Sequence, residues 1–383
     1  MLPQEFENAR LVGRAWRPDV GGPAIVILRN GRLVDVTARF PTMVDLLDRM
    51  APAEFDAVSG EDLGWLEDFL HQPGHMRPGS DRACLLAPAD LQALKACGVT
   101  FARSMIERVI DERTQGDPKK ASEMRARLGE AIGGSLASLR AGSEQARHVK
   151  AALQREGLWS QYLEVGIGPD AEVFTKSQPM SAVGFGAEVG INPISQWNNP
   201  EPEIVIAVNG HGEIRGATLG NDVNLRDVEG RSALLLGKAK DNNASCALGP
   251  FIRLFDDVFT MRDIETATLT MTINGADDGF TMSATSNMAE ISRSPTELVG
   301  QAWGPCHQYP DGFMLFMGTM FAPTQDRGVP GSGFTHKSGD IVDITTPTLG
   351  TLRNRVTFSD KAAPWTFGSH ALMRNLAGRG LLR

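Results

Sequence analysis

The chain has no run of lysine and arginine, no apolar stretch approaching the roughly 20 residues that span a bilayer, and no paired-cysteine motif in its 383 residues. Each absence removes a class of protein. Without basic runs, and with a formal net charge of −8, the chain is not built to hold a phosphate backbone, so no nucleic-acid partner is expected. Without a long apolar stretch, no membrane partner is expected either. The opening residues MLPQEFENARLVGRAW lack a basic start and an apolar core, which argues against a secretory leader and for a cytoplasmic protein. Cys84, Cys97, Cys246 and Cys306 stand apart and read as buried, reduced thiols. Internal repeats and low-complexity segments are missing, as are a phosphate-cradling GxxxxGK[ST] and a GxSxG nucleophile turn. Two partial motifs fail on inspection. GFGAEVG (184–190) has the wrong spacing for a dinucleotide fingerprint, and Pro73 and Gly74 break the helix that would align the two histidines of HQPGH.

What is present is an ordinary globular composition, 42% apolar and 22% charged, long enough for one large domain or two. The pattern predicts an α+β protein: a small N-terminal α/β domain over 1–80 and a larger domain over 81–383. AIVILRNGRLVDVT places two apolar runs around Asn30-Gly31, a strong hairpin signal. PTMVDLLDRM follows, with Thr42 as a helix N-cap. Residues 71–81 read as a linker, and 88–160 as mostly helical, starting with PADLQALKACG and continuing through FARSMIERVIDER to an amphipathic helical insert that would form an arm or subunit contact. From about 163 onwards short β-type runs recur between turn signals, which predicts a mixed, largely β domain.

The chemistry concentrates where a strand begins. In NNPEPEIVIAVNG, Glu201 and Glu203 stand two apart, on one face of a strand and separated by roughly 6–7 Å. The intervening IVIAVNGHGEIRGATLG reads as strand, turn, strand, a hairpin that returns Asp222 of LGNDVNLRD to their neighbourhood. Carboxylates converging without a cation would form a costly like-charge cluster; with one they form a hard oxygen site suited to Mg²⁺, with Mn²⁺ as the alternative. LLLGKAKDNNASCALGP then supplies Lys238 and Lys240, either of which could bring an ammonium beside the metal.

Taken together, PEPEIVIAV, LGNDVNLRDVEG and GKAKDNNASCALGP resemble the core motif of the fumarylacetoacetate hydrolase family. AEVFTKSQP (171–179) resembles that family's approach strand, MLFMGTMFAP (314–323) its Gly-Thr substrate loop and GDIVDITTPTLGTLRN (339–354) its closing strands, so the resemblance covers about 98–358. It implies a mixed β-roll catalytic fold with a divalent metal on Glu201, Glu203 and Asp222. It further implies that Lys240 is the active-site lysine, with Lys238 second, and that Thr319 contacts the substrate's carboxylate or oxo group. Lys176 on the approach strand is placed at the substrate by the same resemblance. The departures are informative. Family hydrolases carry a His, and a Glu three residues later, to activate water; here GVTFARSMIE keeps Glu107 and puts Ser104 at the His position. Glu229 stands where they usually carry Gln. Ser104 and Glu229 are therefore expected to contact substrate rather than to serve hydrolysis.

This His-less pattern, with a separate N-terminal module and a helical insert, is similar to the family's sugar-acid dehydratases. The implied reaction is Mg-dependent loss of water from a 2-keto-3-deoxy-pentonate to give 2-oxoglutarate semialdehyde in non-phosphorylating pentose breakdown, by a homodimer or homotetramer. Lys240 would act near C3 as base or enolate stabiliser, and Glu107 on the departing hydroxyl. The alternative is a metal-dependent carbon–carbon hydrolase of acylpyruvates or diketo acids.

Overall fold

The sheet that carries the carboxylates is built around one wholly buried strand, Pro202–Val208, whose PEIVIAV reads as the uninterrupted apolar run of a central strand. The computed structural model of the chain describes residues 1–51, 53–70, 81–115, 117, 120–121, 139–155, 157 and 159–382. Pro202–Val208 pairs antiparallel with Ile214–Asp222 on one side and Phe313–Phe316 on the other. Beyond Phe313–Phe316 the sheet continues through Ala93–Gly98, in parallel, to Glu172–Ser177. Beyond Ile214–Asp222 it continues through Cys246–Leu254 into the N-terminal strands Leu11–Arg17, Gly22–Arg29, Arg32–Asp35 and Glu61–Trp65. The N-terminal module therefore extends the carboxylate sheet, through register pairs Leu11 with Arg253 and Val12 with Ile252.

Alternation along the central strand separates two cores. Ile204, Ile206 and Val208 face a second, five-stranded sheet, in which Leu269, Met271, Ile273, Val342, Ile344 and Leu352 join the same apolar cluster. Val205 and Ala207 face the opposite way, where Leu46 and Leu47 of helix Met43–Arg49 close the core with Phe40 and Ile27. Thr42 caps that helix as expected, its hydroxyl accepting from the Asp45 amide while the Asp45 carboxylate accepts from the Thr42 amide. The Asn30-Gly31 hairpin also forms: both residues have positive φ, 51° and 76°, as a type I′ turn between Arg29 and Arg32 requires.

Helices Ala102–Thr114, Glu144–Arg155 and Gln161–Ile167 build an arm with its own apolar cluster, including Met105, Val109, Ile110, Leu153, Leu163 and Trp197. The expected helix over 88–98 does not form. Ala93–Gly98 is a strand, buried at Leu94 and Ala96 and more open at Ala93 and Lys95, and that two-residue alternation outweighs the Pro and Gly punctuation. Cys84, Cys97 and Cys246 are buried as expected, whereas Cys306 lies exposed in the turn after helix Pro295–Ala302. HQPGH and most of the segment KKASEMRARLGEAIGGSLASLR lie outside the described residues. Among the described residues no helix is long and apolar enough to cross a membrane.

Candidate metal centre

The hairpin brings the three carboxylates together by register. Glu203 stands opposite Gly220 and Pro202 opposite Asn221, and the Asp222 amide donates to the Glu201 carbonyl at 3.0 Å. Glu201, Glu203 and Asp222 each offer an oxygen within 4.8 Å of the others, and all are buried. Among the described residues they form the one cluster of three or more such side chains. The donor set is all oxygen, and Asp222 Oδ1 is buried with an ion pair to Lys176 as its charge partner. These features fit a hard divalent cation such as Mg²⁺, with remaining positions open to water or substrate. A cavity of about 610 Å³ between Arg140–Ser143 and Met288–Ser292 shares no residue with this cluster.

Each carboxylate has a distinct set of partners. Glu203 Oε2 accepts from the Gly318 amide at 2.7 Å and Oε1 from the Thr319 hydroxyl at 3.3 Å. Thr319, expected at the substrate, thus also bonds a carboxylate of the triad. Glycine is required at 318: φ is +102°, and a Cβ there would come within 2.0 Å of Thr100 Oγ1. Asp222 Oδ1 lies 2.9 Å from Lys176 Nζ, and Oδ2 accepts from Lys240 Nζ at 3.0 Å. Glu201 Oε2 accepts from Lys240 Nζ, and Oε1 from Arg108 Nη2. Lys240 ends the short helix Leu236–Lys240 and is buried, while Lys238 is exposed, which separates the two lysines.

Lys176 is wholly buried beneath the site. Besides Asp222 it donates to the carbonyls of Lys240 and Val223, the latter at 3.2 Å, so its ammonium is committed to protein oxygens. Glu107, on helix Ala102–Thr114, is held by Arg226 at 2.8 Å. Arg226 also binds Asp111 at 2.7 Å and lies 4.2 Å over the Trp197 ring. Glu229 Oε2 is 2.9 Å from Arg108 Nη1. Ser104 belongs to the same helix as Glu107, with its side chain outside the described part.

Sequence reasoning missed Arg108 and Glu172. Strand Glu172–Ser177, which carries Lys176, also carries Phe174 and Glu172. Phe174 lies 5.7 Å below the Lys240 ammonium, and the Glu172 carboxylate rests over Gly98, where a Cβ would come within 1.8 Å of it. Burial and then Glu229 push Glu172 up to about 7, against the opposing pull of Arg108 and Lys240. A signal was available: Glu172 opens the strand that carries Lys176, four residues before it.

The carboxylates titrate apart. Burial would raise Glu201, but Lys240 and Arg108 outweigh it and hold the group at about 2. Glu203 is raised well above the usual carboxylate range, by burial first and then by Asp222 and Glu201. A proton on Glu203 competes with a cation. Mg²⁺ binding is therefore expected to release a proton, and apparent Mg²⁺ affinity to rise with pH. Calorimetric titration in two buffers of different ionisation enthalpy measures this; identical heats would contradict it.

With this geometry in place, comparison with known proteins is direct. The family model described as fumarylacetoacetate (FAA) hydrolase C-terminal matches residues 168–357. The chain belongs to the fumarylacetoacetate hydrolase family. It is 34% identical over 215 residues to a protein of Haloferax volcanii named probable 2-keto-3-deoxyxylonate dehydratase, an alignment covering 56% of this chain and 68% of that one. It is 31% identical over 181 residues to the 2-dehydro-3-deoxy-D-arabinonate dehydratase of Saccharolobus solfataricus, covering 47% of this chain and 57% of that protein's length. Among solved structures, a 2-keto-3-deoxy-D-arabinonate dehydratase complexed with magnesium and 2,5-dioxopentanoate shares the fold, with a TM-score of 0.61, 20% identity, and coverage of 91% of this chain and 99% of that one.

Proposed function

We propose that the protein is a hydro-lyase that removes water from a 2-keto-3-deoxy-pentonate of the D-xylonate/D-arabinonate series. The product would be 2-oxoglutarate semialdehyde, within non-phosphorylating pentose breakdown. The observation that carries this reading is the buried triad of Glu201, Glu203 and Asp222 with Lys240 bonded to two of its members. Support comes from the two curated relatives, both named as dehydratases of such acids. Held by the triad, Mg²⁺ would supply Lewis acidity toward the 2-oxo acid end of the substrate.

The chain's own groups divide the remaining work. Burial would lower Lys240, but Asp222 and Glu201 overcome it and raise the ammonium above its ordinary range. A lysine so held is charged, and a charged lysine is a donor rather than a base. We assign it to the negative charge that develops when C3 loses its proton. Glu107 is engaged by Arg226, so we assign proton transfer to Glu172, whose electrostatic neighbours include Lys240 and Glu201. As a carboxylate it takes the C3 proton, and as an acid it returns that proton to the departing C4 hydroxyl, which leaves as water. Elimination leaves a C3=C4 double bond conjugated to the 2-oxo group; loss of a C5 proton and return of a proton to C3 give the C4=C5 enol, which tautomerises to the aldehyde. Thr319 and Glu229 remain as substrate contacts in this reading, while Lys176 supports Asp222 from below.

Two results test it. Incubation with Mg²⁺ and a 2-keto-3-deoxy-pentonate should give a product lighter by one water with its carbon count intact. Cleavage of an acylpyruvate into two fragments instead would favour the hydrolase. The pH profile tests Glu172. A base with pKa about 7 is charged only above that value, so kcat/KM should rise with pH up to about 7 and then level. Glu172→Gln should flatten that limb and lower kcat by about 10²–10⁴-fold. An unchanged limb in the variant would remove Glu172 from proton transfer.

A further inference from the structure

Arg108 occupies a place that neither the ligand set nor the proposed chemistry uses. It belongs to helix Ala102–Thr114, yet its guanidinium reaches the carboxylate cluster and is buried there. Nη2 donates to Glu201 Oε1, while Lys240 takes Oε2. Nη1 lies 2.9 Å from Glu229 Oε2 and 3.4 Å from Asp111 Oδ2. Asp111 in turn accepts from Arg226, which also holds Glu107. Buried charges of alternating sign thus run from the helical arm to a metal ligand. Taking such ions out of water is costly, so every member must be well paired. Glu229 and Asp111 alone would suffice to anchor the helix, but Arg108 commits its second Nη group to Glu201.

We infer that Arg108 is a positioning residue of the metal centre: it fixes the plane of Glu201 for the cation through a guanidinium braced on Glu229 and Asp111. The inference rests on the metal site of the reading above, not on the identity of the sugar acid. A carboxylate oxygen has two lone pairs, so Oε1 can accept from Arg108 while the carboxylate binds a cation. The planar guanidinium restricts Glu201 in a way that Lys240, a single charge on a flexible stem, does not. Outer groups of this kind typically set metal affinity within a factor of about 10–100.

The test is Mg²⁺ titration by calorimetry on the full chain, with Arg108→Met, Arg108→Lys and Glu229→Gln beside the wild type. Arg108→Met should weaken Mg²⁺ binding by about 10–100-fold. The Mg²⁺ concentration for half-maximal turnover should move by the same factor. Arg108→Lys, which keeps the charge but not the plane, should recover part of the loss. Glu229→Gln, which takes the charge from the brace and is read by Mg²⁺ affinity alone because Glu229 is also placed at the substrate, should weaken binding by a smaller factor and stands in if the methionine variant does not fold. Wild-type Mg²⁺ affinity in these variants would overturn the inference and leave Arg108 as an anchor for the helix. Tighter binding in Arg108→Met would also overturn it, since Arg108 would then be competing with the cation for Glu201. A wild type that binds Mg²⁺ but turns over no 2-keto-3-deoxy-pentonate would defeat the dehydratase reading; the affinity comparison would still decide the role of Arg108.

Discussion

Lys240→Met is expected to abolish turnover, lowering kcat by about 10³-fold or more, while Mg²⁺ binding survives. Lys240 is the one side chain that donates to both Glu201 and Asp222 among the described residues, and it does so from a buried position above Phe174. A positioned proton-handling or charge-stabilising group typically contributes about 10²–10⁴-fold. Methionine fills much of the lysine's apolar stem without its charge, so the loss is chemical rather than a matter of volume. The triad carboxylates keep other partners: Glu201 retains Arg108, and Asp222 retains Lys176 at 2.9 Å. Lys240, a single charge on a flexible stem, repels the cation without fixing the plane of a carboxylate, so its loss is expected to leave Mg²⁺ affinity equal or higher. Turnover and Mg²⁺ titration on one preparation check both halves. A variant with a tenth of wild-type kcat would take Lys240 out of the central role.

Asp222→Asn has the second large effect, and the opposite signature. It removes a ligand charge and turns an amide toward two ammonium groups, Lys176 and Lys240, which lie at 2.9 and 3.0 Å from the carboxylate. Mg²⁺ affinity should fall by more than the factor of about 10–100 that outer groups command. Turnover should fall with it. Lys176 is wholly buried, and breaking a buried ion pair by removing one partner costs about 3–5 kcal/mol. The carbonyls of Val223 and Lys240 still receive Lys176, which places the expected loss at the lower end, about 3 kcal/mol. Thermal unfolding and Mg²⁺ titration read the two effects separately. Wild-type Mg²⁺ affinity in Asp222→Asn would refute the ligand assignment.

The legibility of this protein in its sequence was uneven, for identifiable reasons. The triad was readable because one hairpin carries it. Two glutamates at a strand entry share a face, and a hairpin of fixed length returns Asp222 beside them, as the pairing of Glu203 with Gly220 bears out. Lys240 and Lys238 could be ranked from the motif, but only burial separates them physically. Arg108 and Glu172 escaped because their roles depend on two segments meeting from different parts of the chain. An arginine on an amphipathic helix reads as a solvated residue until the partner strand is known. Ala93–Gly98 was misassigned because Pro and Gly at its flanks imitate helix punctuation, while its place between Phe313–Phe316 and Glu172–Ser177 is a long-range fact. The continuity of the N-terminal strands with the carboxylate sheet is likewise a matter of pairing between distant segments, Leu11–Arg17 with Cys246–Leu254.

The carboxylate centre with Lys240 is proposed to remove water from a 2-oxo sugar acid. Carbon-13 and proton NMR of the full chain with uniformly labelled 2-keto-3-deoxy-D-xylonate, with Mg²⁺ and then with excess EDTA, tests it most directly. The predicted result is an aldehyde signal within an intact five-carbon spin system, present with Mg²⁺ and absent with EDTA. A product with a broken carbon chain, or an aldehyde that forms equally well in EDTA, would contradict it.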